Sequence, residues 1–592
     1  MSDKHYFPST SANSLVPRAL RALVSANDHL SLNYTERVVS NAFHDDSKVS
    51  IISGGGSGHE PAWSGYVGDG LLSAVACGDI FASPSAKQIL AAIRTAPSKK
   101  GTILLITNYT GDRLHFGLAA ERAKAEGLVE NIAILHATDD VSIGRSKNSH
   151  MGRRGLPGHI FTMKIIGAAA SEGYSFKQCL ALGQAINGQT VTIASALDHC
   201  HVPGRHQQSS VPDNVVVVGA GIHNEPGQLH LSPAPPVEQL IEQCLKFLCD
   251  DSDTERAFVK FEPRDEIGLL VNNYGGLSVL ELSALTDEIQ CQLSSRWNIR
   301  PCKTLFGSFE TSLNAPGFSI SLCNLTAAAR QSNQSVATLI RHFDCPTTAV
   351  SWPNTSRPSP SQQKTTFDDL DAEVNSQITA SPRIKFDPLL LEKALRTSCE
   401  RAIAAEPRLT QWDMVMGDGD CGEAVQGLAE SVLQSVDKGC TASGDLLEVI
   451  RSVLQNVDDM GGTLGAIFGV LLSALYTALR KNSLDGICPN TPNFYSTALA
   501  SATTTLKSHT GAREGDRTVM DVLLPFSEEF SKTNDFLSAV DVAAKKAEET
   551  RHLKAKFGRA TYVGDASSQQ LPDPGAWALY EIVAGLADGL GL

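Results

Sequence analysis

The sequence predicts an α/β half followed by an all-α half. Three observations carry that expectation. From about residue 15 to 345, short apolar runs rich in Val and Ile alternate with helical stretches; from 386 to the end, helical periodicity prevails without convincing strands. Between them, from about 352, lies a tract rich in Pro, Ser, Gln and Thr, which cannot supply a core and reads as a linker. The 592 residues exceed what one hydrophobic core covers and correspond to three or four domains of roughly 100–200 residues. A formal net charge of -14 argues against nucleic acid or an anionic membrane as the main partner, since both call for clustered Lys and Arg. The 13 Cys include no CxxC pair, so they read as reduced thiols rather than a disulfide framework or zinc site. The first residues have no signal-type apolar core and no apolar run of about 18 residues stands out, so the expected setting is cytoplasmic.

In the first half the expected strands are 49–52, 102–107, 132–135, 215–218, 267–271 and 318–322. Several are continuously apolar, as strands buried on both faces are, which predicts mostly parallel sheets. Ligands bind beyond the carboxyl ends of such strands. Three of those ends carry chemistry. Ser53-Gly54-Gly55-Gly56-Ser57-Gly58-His59-Glu60-Pro61 reads as a strand running into a glycine loop whose backbone N–H groups can approach an oxygen-rich ligand, with His59 at its far end. Asn108-Tyr109-Thr110-Gly111-Asp112 follows the second strand, and Gly219-Ala220-Gly221-Ile222-His223-Asn224-Glu225-Pro226-Gly227 follows the fourth. An Asp after a strand is commonly a helix cap and a His near glycines a solvated loop residue. Together, Asp112, His59 and His223 make one carboxylate and two imidazoles able to converge on a small substrate.

In the second half the expected helices are 387–405, 422–436, 444–457, 465–480, 492–508, 535–549 and 574–589, a bundle of seven or eight. Asp413, Asp418 and Asp420 fall within eight residues, separated by glycines, ahead of a helix. Hard oxygen ligands in a tight turn suit Mg²⁺ with a nucleotide; calcium is the rival, although the spacing of an EF-hand loop is missing. Gly461-Gly462-Thr463-Leu464-Gly465 opens a helix where phosphate oxygens can meet free N–H groups. No Walker A pattern occurs, so ATP, if bound, is bound by another design.

These motifs, in this order, resemble the ATP-dependent dihydroxyacetone kinases of the two-domain fungal and animal type: GGGSGHEP (54–61), NYTGD (108–112), GRRG (152–155), KIIGAAA (164–170), GIHNEPG (221–227), GDGDCG (417–422), GDRT (515–518) and DPGA (573–576). The resemblance covers nearly the whole chain. It implies a sugar-binding K domain of two α/β subdomains over 1–350, a linker over 351–385 and a nucleotide-binding L domain, an eight-helix barrel, over 386–592. It implies that His223 holds the substrate carbonyl as a hemiaminal, that Asp112 is the base for the attacking hydroxyl, and that His59 orients or helps deprotonate it. Gly55, Gly56, Ser57, Gly58, Thr107 and Asp112 would contact the sugar; Asp413, Asp418 and Asp420 would hold two Mg²⁺ ions on ATP. Cys421, Gly422, Thr463, Leu464, Gly511, Met520, Arg559, Asp573, Pro574 and Gly575 match nucleotide contacts. Sugar and nucleotide on different domains imply a homodimer with domain exchange.

Several positions depart from the family pattern. Thr107 stands where the family has a Lys that hydrogen-bonds the sugar, Trp63 and Met163 where it has His, and Leu464 where it has Ser; Val217 and Ala220 border His223. The alternatives left open are a cyclic-FMN-forming FAD-AMP lyase activity and a non-catalytic sugar-sensing paralogue.

Overall fold

Twelve strands form in the described residues of the first half, and they make two six-stranded sheets. The structure is a computed structural model that describes residues 6–7, 12–146, 152–204, 210–353, 383–416, 419–460, 462–485, 487–489, 491–556 and 570–592. The first sheet comprises β1 (Leu30–Asn33), β2 (Val38–Asn41), β3 (Ser50–Ser57), β4 (Ala74–Ile80), β5 (Thr102–Thr107) and β6 (Ile132–Ala137) in the order β1-β2-β4-β3-β5-β6. Its centre is parallel: β3 pairs with β4 and β5, and β5 with β6. Successive residues of these strands enter opposite cores. Ile51, Ile103 and Leu105 pack with helices His159–Ser171 and Phe176–Gly188, whereas Ile52, Leu104 and Ile106 pack with helices Ala86–Thr95 and Thr110–Ala125. Burial on both faces is why the runs are apolar throughout, each Ile or Leu so placed contributing roughly 1.5–3 kcal/mol.

The second sheet comprises β7 (Thr190–Ala196), β8 (Val216–Val218), β9 (Leu229–Leu231), β10 (Ile267–Asn273), β11 (Lys303–Gly307) and β12 (Gly317–Asn324), ordered β11-β10-β12-β7-β8-β9. Only β10–β11 is parallel; β12 lies antiparallel between β10 and β7, and β7–β8–β9 form an antiparallel meander. The expectation of mostly parallel sheets therefore fails here, because a continuous apolar run reports burial of both faces and not strand direction. Ile193, Leu269, Val271, Ile320 and Leu322 meet helices Val237–Cys249 and Val279–Trp297, while Leu270 and Leu305 face the core that the first sheet shares.

The chain divides into two compact units, Met1–Gln363 and Lys364–Leu592. Most of the expected linker, 354–382, lies outside the described residues. The second unit is helical: Pro388–Met416, Cys421–Asp437, Leu446–Asp458, Gly462–Leu484, Pro492–His509, Met520–Thr533, Phe536–Glu549 and Pro574–Leu590. Sequence periodicity missed Met520–Thr533, whose pattern Pro525 interrupts. Helix Gly462–Leu484 is, contrary to expectation, long and apolar enough by length and composition to cross a membrane, with mean hydropathy 1.7. It gives Phe468 and Leu471 to the core of this unit.

Candidate active site

His59, Asp112 and His223 lie just beyond the carboxyl ends of β3, β5 and β8. The two histidines belong to different sheets and meet directly, Nε2 to Nε2, at 3.0 Å. His59 is buried, and its Nδ1 lies 2.7 Å from the carbonyl oxygen of Thr311. A carbonyl only accepts, so Nδ1 carries the proton and Nε2 of neutral His59 is an acceptor. Burial, and then the neighbouring His223, pull its pKa down to about 3, which keeps the ring neutral. Phe81 stacks on His59 with centroids 5.0 Å apart, and Trp63 meets it edge-on at 5.8 Å.

His223 stands edge-on against His59, Phe81 and Tyr109, with centroids 4.7, 5.0 and 4.7 Å away. Its side chain remains 24% exposed. Its backbone N–H donates to Glu225 Oε2 at 2.7 Å, and its Nδ1 lies 3.5 Å from Glu225 Oε1. Since His59 Nε2 accepts, His223 donates from Nε2.

Asp112 occupies the first turn of helix Thr110–Ala125 and is buried. Thr107, the last residue of β5, donates its hydroxyl to Asp112 Oδ2 at 3.3 Å, while Oδ1 has no hydrogen-bond partner among the described residues. Burial raises the Asp112 pKa above the ordinary carboxyl value. A buried carboxylate with one free oxygen at a strand end is equipped to take a proton from a bound hydroxyl. Thr107 at this position therefore serves Asp112.

The glycine segment differs from the expected loop. β3 continues through Ser57, with a register shift between Gly55 and Ser57. A Cβ on Gly55 would lie 2.3 Å from the Trp63 ring, and one on Gly56 2.7 Å from the Ala82 nitrogen, so these glycines admit close packing of the site walls. The apolar run ends at Ile52, and glycine hides the strand's continuation. Ser57 gives its hydroxyl to the Gly78 carbonyl at 2.8 Å. Gly58 has φ +101, and Leu313 N–H donates to its carbonyl at 2.8 Å, tying the 309–313 segment over the site.

In the second unit, Asp413 lies within helix Pro388–Met416 and not in a turn, because neither Gly nor Pro occurs between Pro407 and Gly417. Its Oδ2 accepts the Cys421 backbone N–H at 3.1 Å, joining that helix to the start of Cys421–Asp437. Burial, followed by the charges of Asp413, Asp573 and Asp420, pushes the Cys421 thiol up to about 12. Asp573 caps helix Pro574–Leu590 by accepting the Ala576 N–H at 2.8 Å, and burial pushes its pKa up to about 7. Leu464 Cδ1 is 3.8 Å from where a Gly575 Cβ would stand, so the Thr463-Leu464 helix start adjoins the Asp573-Pro574-Gly575 turn. Met520 is buried at the start of its helix, after the turn in which Asp521 accepts the N–H groups of Gly515 and Thr518. Gly422 packs on the preceding helix, a Cβ there falling 2.2 Å from Thr410 Oγ1; Gly511 is exposed. Asp418 and Arg559 lie outside the described residues, and among the described residues no three His, Cys, Asp or Glu side chains converge on one metal position. Asp413 near the end of one helix and Asp420 at the start of the next are oxygen donors of the kind Mg²⁺ takes.

Sequence reasoning did not single out Phe81, Tyr109, Glu225 or Thr311. Tyr109 and Glu225 lay inside motifs already noted, whereas Phe81 and Thr311 reach the site only through tertiary packing.

The Dak1 domain family matches residues 21–349 and the DAK2 domain family residues 415–588. The dihydroxyacetone kinase of Pichia angusta is 40% identical over 620 residues, covering 99% of this chain and 98% of that one. Dihydroxyacetone kinase 1 of Saccharomyces cerevisiae is 39% identical over 608 residues and covers 100% of both chains. The crystal structure of the dihydroxyacetone kinase from C. freundii in complex with AMP-PNP and Mg²⁺ is 27% identical, with TM-score 0.62, over 99% of this chain and 100% of that one. With two domain families matched in order and relatives aligned end to end, the chain belongs to the dihydroxyacetone kinase family.

Proposed function

We propose that this protein is an ATP-dependent kinase that phosphorylates dihydroxyacetone to dihydroxyacetone phosphate, and also accepts glyceraldehyde or another small ketose. The observation that carries the reading is the convergence of His59 and His223 at 3.0 Å beyond β3 and β8, with buried Asp112 beyond neighbouring β5. His59 Nε2 takes the proton of His223 Nε2 as the freed lone pair attacks the substrate carbonyl carbon, and that proton passes on to the carbonyl oxygen, which becomes the hemiaminal hydroxyl. Such a hold selects carbonyl compounds over glycerol. Asp112 takes the proton from the substrate hydroxyl that attacks the γ-phosphate, while neutral His59 fixes the direction of His223. Gly55, Gly56, Ser57, Gly58 and Thr107 border the sugar. Asp413 and Asp420, with Asp418, would hold Mg²⁺, which when bound neutralises the phosphate charge. Cys421, Gly422, Thr463, Leu464, Gly511, Met520, Arg559, Asp573, Pro574 and Gly575 form the nucleotide site of an eight-helix barrel.

The domain bounds proposed are 1–350, 351–385 and 386–592, in a cytoplasmic homodimer; light scattering of the purified chain tests the dimer. The first experiment follows ADP release with Mg-ATP and dihydroxyacetone, glyceraldehyde, erythrulose or glycerol, beside His223→Ala. Turnover of the carbonyl compounds that is lost in the variant and absent with glycerol is expected. No ADP release with any carbonyl compound would overturn the reading.

A further inference from the structure

Arg154, from the Gly152-Arg153-Arg154-Gly155 motif, takes no part in the chemistry described so far, yet it stands directly behind His223. Its Nε donates to Asp140 Oδ2 at 2.7 Å, and the Asp140 side chain is wholly buried. Its Nη2 donates to Ser142 Oγ and to the Gly219 carbonyl, both at 3.1 Å. The guanidinium thus grips the start of the loop that carries His223. Its Nη1 lies 3.7 Å from Glu225 Oε1, the oxygen that faces His223 Nδ1 at 3.5 Å. The arrangement is close enough that a Cβ on Gly221 would fall 2.1 Å from Glu225 Oε2 and 2.5 Å from Arg154 Nη1. Asp140, Arg154, Glu225 and His223 form an unbroken line of alternating charge ending on one ring nitrogen.

We propose that Arg154, anchored by Asp140, is a positioning residue: it holds Glu225 as an anion against Nδ1 of His223, so that Nε2 is the nitrogen freed for the substrate carbonyl. The inference rests on the reading of His223 as the carbonyl-binding residue. A histidine can lose a proton from either nitrogen, and the partner of one decides the fate of the other. Beside an ionised Glu225, Nδ1 keeps its proton throughout. When Nε2 bonds the carbonyl carbon, its proton moves to the carbonyl oxygen, so the ring stays cationic and Glu225 remains its counter-ion. Burial works against ionisation of Glu225, but its hydrogen bond to His223 and the nearby Arg154 outweigh it and hold the carboxyl down at about 2. With Arg154 removed, Glu225 is free to take the Nδ1 proton, and the nucleophilic lone pair then forms on the wrong nitrogen.

The test uses full-length protein with ¹⁵N-labelled histidine and [2-¹³C]dihydroxyacetone. In wild type, ¹³C NMR should show the carbonyl carbon converted to a tetrahedral adduct, and ¹⁵N NMR a single protonated Nδ1 on His223. Arg154→Gln and Glu225→Gln should each lower kcat/KM roughly 10- to 100-fold, reduce the adduct and give mixed His223 tautomers. The double variant should be no worse than the single ones, because both break the same line. Glu225→Gln, nearly isosteric and on a partly exposed side chain, carries the same test if Arg154→Gln does not fold. An adduct and a single tautomer that persist in both variants would overturn the inference alone, as would multiplicative losses in the double variant. Wild type without any adduct would instead overturn the carbonyl-binding reading, and this inference with it.

Discussion

Asp112 and Thr107 show how one residue changes the task of another. The Thr107 hydroxyl donates to Asp112 Oδ2, and after Ser83 it opposes the rise in pKa that burial imposes. Thr107→Val removes it at nearly constant volume. The Asp112 pKa should then rise further, and the acid limb of the kcat/KM profile should move to higher pH; an unmoved limb would mean that Asp112 is not the base. Asp112→Asn should lower kcat by about 10²- to 10⁴-fold, with the adduct to His223 retained. His159 sits one layer deeper, accepting the Trp63 indole N–H at 3.0 Å. Burial pulls its pKa from 6.5 to about 4. For such a base the unfolded chain binds the proton more tightly, so its stability contribution is present above pH 6.5 and lost as pH falls towards 4. The stability gap between wild type and His159→Gln should therefore narrow on acidification, by on the order of 3 kcal/mol. Denaturant midpoints at neutral and acid pH would show it, and a gap that widens would refute the assignment of a neutral His159.

At the scale of the element, β3 does what the glycine run conceals. A strand that passes beneath Trp63 and beside Ala82 must shed its side chains while keeping its pairing, and it delivers His59 only because Gly58 turns the chain with φ +101. An alanine Cβ at Gly58 would lie 2.8 Å from Phe81 Cε1, against the ring that stacks on His59. Gly58→Ala should thus cost more than about 1 kcal/mol and lower kcat/KM while leaving the second unit's nucleotide affinity intact. Thermal unfolding and nucleotide titration of the same sample would separate the two effects. The parallel centre of the first sheet was legible from continuous apolar strands, but β1, β2, β4, β7, β9 and β11 were not, being short, polar or glycine-broken. Their pairing energy comes from neighbours distant in sequence, which no local pattern displays.

At the scale of the molecule, the chain carries two separate units: an α/β one with cores on both faces of its sheets and an all-α one packed around Leu409, Phe526 and Leu579. Two units with their own cores should unfold in two calorimetric transitions. Mg-ATP should raise only the second unit's transition and dihydroxyacetone only the first's, since a ligand stabilises the unit that binds it. A single transition moved by both ligands would show the units to be one cooperative whole.

Fold class, the break between the two halves and the residue types of the site were determined by the sequence itself, because they rest on periodicity, composition and short motifs. His59, Asp112 and His223 could be named from their strand ends alone. Tertiary structure decided that the two imidazoles meet nitrogen to nitrogen, and that Thr311 and Glu225 assign their protons. It also decided that the second sheet is largely antiparallel and that Asp413 is helical. Those outcomes depend on distance, direction and burial between segments far apart in the chain, and these exist only once the cores have closed.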